Sequence, residues 1–140
     1  MPTQLSEPTS QLMKDLRRGL LRLHKILLDQ ERAAYERVHG TVSSGEMLQL
    51  VINHEQFAWL HAISELIVRI DEALEAKEPA TTEEDAEALL AQAQSLLSPT
   101  ETGNEFQRKY YAALQSEPAA VLAHREVIQL FPVAVEPGEL

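Results

Sequence analysis

No cysteine occurs in this chain. Disulfides, thiolate nucleophiles and cysteine-ligated zinc sites are excluded together. Bases are scarce too, with 12 Lys and Arg against 22 Asp and Glu, a formal charge of −10. Such an acidic domain repels a phosphate backbone, which argues against nucleic-acid binding. One Trp, three Tyr and three Phe leave little aromatic surface for stacking on bases. No apolar run reaches the ~18 residues of a transmembrane segment. The first ten residues, MPTQLSEPTS, lack both a basic and an apolar leader region, so no secretory signal is expected.

What is present is helical periodicity. A chain of 140 residues reads as one domain, large enough to fold without a staple. Met13, Leu16, Leu20, Leu23, Leu27, Gln30 and Ala34 recur at spacings of three and four, a single buried seam on a helix from about Ser10 to Val38. Leu21, Leu28 and Tyr35 form a second apolar line on the same helix. A helix this apolar is central in a bundle or part of a subunit interface. His39-Gly40 ends it. Ser43 and Glu46 match a capping box, and Asn53 can start a new turn.

Leu60, Ile63, Ile67, Ile70 and Leu74 mark the next long helix, Phe57 to Ala76, which Glu78-Pro79 breaks. Thr81-Thr82 caps a third helix with the stripe Ala86, Leu89, Leu90, Ala93, Leu96 and Leu97. Asn104 caps a short helix, and Ser116-Glu117-Pro118 opens the last, to Phe131.

The chemistry is thin. Gly40 and Gly45 have phosphate-loop spacing, but Glu46 stands where the lysine belongs. His61 and Glu65 have the His-x-x-x-Glu spacing of hemerythrin-like proteins, but their phase puts them opposite the apolar seam, on the wet face. His24 and His124 fall at seam edges. With Glu31, two turns from His24, they form a candidate metal site, His24, Glu31 and His124. No other cofactor is expected. Lys14, Arg17, Arg18, Arg22 and Lys25 gather on the first helix, either as a solvated face or as a basic face that docks an acidic partner or anionic lipid.

Four stretches carry a resemblance: LRLHKILLDQERAAYERVHG (21–40), GEMLQL (45–50), FAWLHAISELIVRIDEAL (57–74) and AHREVIQLF (123–131). Over them the chain resembles a family of small uncharacterised all-helical bacterial proteins with no assigned activity. The resemblance implies a cytoplasmic helical protein and carries over no catalytic residue.

The expected fold is all-α, an up-and-down helical bundle of four main helices plus short extra helices. Residues 10–131 form the bundle, with flexible ends at 1–9 and 132–140. The expected function is protein interaction or regulation without enzymatic activity, as a homodimer joined through Leu21, Leu28 and Tyr35. An unknown protein partner is expected and no nucleic acid. The alternatives are a divalent-metal bundle using His24, Glu31 and His124, and peripheral membrane binding by the basic face.

Overall fold

A computed structural model describes residues 5–131. The expected flexible tail, 132–140, lies outside them. Six α-helices follow one another: α1 (Glu7–His39), α2 (Ser44–Asn53), α3 (His61–Glu75), α4 (Glu83–Leu96), α5 (Glu105–Ser116) and α6 (Pro118–Ile128). A 3-10 helix, Glu55–Leu60, joins α2 to α3. Among the described residues there is no strand, only an isolated bridge between Lys77 and Ala80. No helix among them is long and apolar enough to cross a membrane.

Helix α1 starts three residues earlier than its sequence suggests. Ser6 is the N-cap, its hydroxyl accepting from the Thr9 amide. Pro8 falls in the first turn, where its missing N–H costs nothing. Glu83, the first residue of α4, accepts from the Ser6 amide and the Thr9 hydroxyl. Residues 6–9, expected to be flexible, are therefore tied to α4.

Helix α1 is the hub of the fold. It packs against α3, α4, α6 and the 3-10 helix. Met13, Leu16, Leu20, Leu23 and Leu27 are wholly buried along one stripe, as their spacing requires. Gly19 lets α6 approach closely: a Cβ there would lie 2.8 Å from Val127 Cγ2. Burial of the stripe stops after Leu27. Gln30 and Ala34, the next two members of the expected seam, are only half-buried. The reason is the length of α6: Ser116, the last residue of α5, already stands beside Gln30 (2.8 Å). The last turns of α1 run past it.

The caps follow the chemistry of their residues. Thr82 with Asp85 and Asn104 with Gln107 form complete capping boxes. At α2 only half of the expected box forms among the described residues, Ser43 accepting from the Glu46 amide. His54, rather than Asn53, caps the 3-10 turn, its ring nitrogen accepting from the Gln56 amide at 3.1 Å. The long helix expected from Phe57 is thus a 3-10 turn followed by α3.

Gly40 ends α1 with φ of +87°. Nothing lies within 4 Å of the place a Cβ would take, so only backbone strain opposes a side chain there. Gly40→Ala is therefore expected to lower the unfolding free energy by about 1–2 kcal/mol in urea titrations, the usual cost of forcing an L-residue to positive φ.

Candidate functional site

Polar side chains bridge α1 to its antiparallel neighbour at three levels. Arg17, His24 and Glu31 lie seven residues apart on one line of α1. Arg17 pairs with Asp71 of α3. His24 Nε2 shares a 3.0 Å hydrogen bond with Ser64 Oγ of α3. Glu31 accepts from Gln56 Nε2 at 2.8 Å and from Trp59 Nε1 at 3.2 Å, both on the 3-10 helix. His24 and Glu31, expected as metal ligands, therefore each have a partner across the α1–α3 seam.

His124 lies elsewhere. Its Nδ1 is 2.6 Å from the hydroxyl of Tyr110, between α5 and α6. The Tyr110 side chain is wholly buried, and burial raises its phenol above the ordinary value, so it stays protonated. The structure does not bring His24, Glu31 and His124 together. Among the described residues, no three His, Asp or Glu side chains converge as a metal site.

Both histidines are held neutral. Burial lowers the pKa of His24 from 6.5, and the charge of nearby His61 lowers it further. Burial alone lowers that of His124. In the unfolded chain each takes up a proton near its ordinary value of about 6.5. The unfolded state then binds more protons, so stability falls as pH drops below that value, towards the lower folded pKa values. Urea midpoints at about pH 7.5 and about pH 5.5 should therefore fall on acidification. His24→Gln/His124→Gln should flatten that fall. Glu83, whose carboxyl the Ser6 amide and Thr9 hydroxyl hold below its usual range, acts only at more acidic pH.

His61 and Glu65 part company. Glu65 is exposed. His61 is half-buried, and its Nε2–H donates to the Val51 carbonyl of α2 at 2.8 Å. The ring thus clasps α2 to the start of α3.

The second apolar line also divides. Leu21 is 43% exposed. Leu28 and Tyr35 pack within the chain, against the small core of Val42, Met47 and Phe57. Helix α2 and the 3-10 turn fold back over these two and cover them in part, while Leu21 stays open. The basic segment is likewise answered from within. Arg17, Arg18, Arg22 and Lys25 pair with Asp71, Asp15, Glu126 and Asp29. These exposed pairs hold little energy, and Lys14, the fifth base of the segment, is exposed and forms no ion pair among the described residues.

An open surface lies at the far end of α1. A groove runs between its last turns and the α5–α6 junction, floored by Ile26, Ala33 and Ala119. Asp29 and Glu117 stand on it beside Arg37. A second opening shares Gln30, Arg37 and Ser116 and continues it past Ala34 and Ala112 towards Lys109. The Gln30–Ser116 hydrogen bond crosses between the two. Sequence reasoning missed this groove. Its only trace was the substitution of Gln30 and Ala34 for leucine as the seam continues.

The chain matches no protein-family model, no curated protein and no solved structure.

Proposed function

We propose that the protein is a small cytoplasmic interaction or regulatory protein, without enzymatic activity, that works as a homodimer. In this reading α1, α3, α4 and α6 are the four main helices of an up-and-down bundle, and α2 and α5 are additions to it. The bacterial origin implied by the resemblance belongs to the same proposal.

The observation that carries the reading is the unfilled end of the α1 seam. Ile26, Ala33, Ala34, Ala112 and Ala119 line a groove that no element of the chain covers among the described residues. Grooves of this form, apolar along the floor and charged at the rim, receive a helix in one recurring mode of recognition. The reading needs no cofactor.

Light scattering tests it. A mass of twice the chain's 15.7 kDa at micromolar concentration is the expected result. A single-chain mass across that range counts against the homodimer.

A further inference from the structure

We propose that the homodimer forms through the last turns of α1, packed antiparallel on those of a second copy about a two-fold axis at Ala33. This rests on the homodimer reading above and gives it an address.

The argument starts from charge. Arg37 is exposed and makes no ion pair among the described residues. It stands on the groove that Asp29 and Glu117 also line. Arg37 and Asp29 lie four residues after and four before Ala33. At about 100° per residue they straddle the Ala33 line symmetrically, one on each side. A two-fold axis at Ala33, perpendicular to the helix, sets the Arg37 of one copy level with and opposite the Asp29 of the other. It does so twice, once on each side of the axis. The patch is thus complementary to itself, which is the requirement for an isologous interface.

The shapes agree with the charges. Ala33 is exposed and small, so two helices can approach closely at the axis. The same rotation sets Ile26 opposite Gly40, which has no side chain to obstruct it. Glu117 lies in the same groove as Asp29 and offers the incoming Arg37 a second carboxylate. The existing Lys25–Asp29 contact is an exposed pair of the kind worth little, so it yields readily.

The expected line, Leu21, Leu28 and Tyr35, offers no such match, because α2 and the 3-10 turn already occupy two of its members.

Sedimentation velocity on the full chain tests the address. Wild type should sediment as a dimer. Asp29→Arg and Arg37→Asp each place like charges together at both ends of the interface, and each should weaken dimerisation at least about tenfold. The double variant Asp29→Arg/Arg37→Asp restores opposite charges and should recover the dimer. Both changes are at exposed helical positions, and circular dichroism checks that each of the three variants folds. A wild-type dimer that survives both single reversals overturns the address while the homodimer stands. A wild-type monomer overturns both. Single reversals that dissociate the dimer without recovery in the double variant overturn the pairing.

Discussion

Leu23→Ala is expected to lower the unfolding free energy by about 2–5 kcal/mol, whereas Leu21→Ala should stay within about 0.5 kcal/mol. The two leucines are two residues apart on one helix, with the same propensity. They differ in what surrounds them. Leu23 has no exposed surface and belongs to the main core with Leu20, Leu27 and Ile63. Its loss removes buried methyl groups and leaves a cavity that a close-packed interior fills poorly. Leu21 is 43% exposed, so truncation returns little surface to water. The larger figure is a sizeable part of the 5–15 kcal/mol typical of a single domain. Urea unfolding of the two variants checks the contrast. Equal losses at both positions would mean that the buried stripe is misassigned.

Glu31→Ala carries the second large effect. Its carboxylate accepts from Gln56 and Trp59 at once. Trp59 is only 7% exposed, so its indole N–H has little recourse to water. Removing the acceptor strands that donor at about 1–3 kcal/mol, with a further contribution from Gln56. Glu65→Ala, on the exposed side of α3, should change stability by less than about 0.5 kcal/mol. Trp59 also reports on the change directly. Its fluorescence should shift in Glu31→Ala before any global unfolding and stay unchanged in Glu65→Ala. A silent Glu31→Ala would show that Gln56 and Trp59 find other acceptors.

Much of this fold was legible because its elements are local. The stripe from Met13 to Leu27, the stop at Gly40, and the caps at Ser43, Thr82 and Asn104 follow from spacing and side-chain chemistry within a few residues. The start of α1 was not legible, since what holds residues 6–9 is Glu83, far away in sequence. The 3-10 turn escaped for a similar reason. Glu31 draws Gln56 and Trp59 across from another helix, and periodicity contains no record of such a bond. The histidines illustrate the limit most clearly. His24 and His124 had the burial expected of site residues, and they are partly buried. Phase could place each at a seam edge, but it could not say that the seams were different ones. Leu28 and Tyr35 were apolar for the reason expected, to be covered, but the cover is the chain's own α2.

The three levels of polar contact between α1 and the run of 3-10 helix and α3 act together as a code for alignment. Apolar side chains alone would tolerate a slide of one helix along the other, because leucine on isoleucine packs acceptably at several offsets. The polar contacts do not. Each is of a different kind: a guanidinium with a carboxylate, an imidazole with a hydroxyl, a carboxylate with two N–H donors. A displacement of two turns would set Arg17 against Ser64 and strand Asp71, while Glu31 would lose both donors. Only one offset satisfies all three, so misaligned compact states are penalised while the native one is not. The side chains that resembled a site select one alignment of the helices.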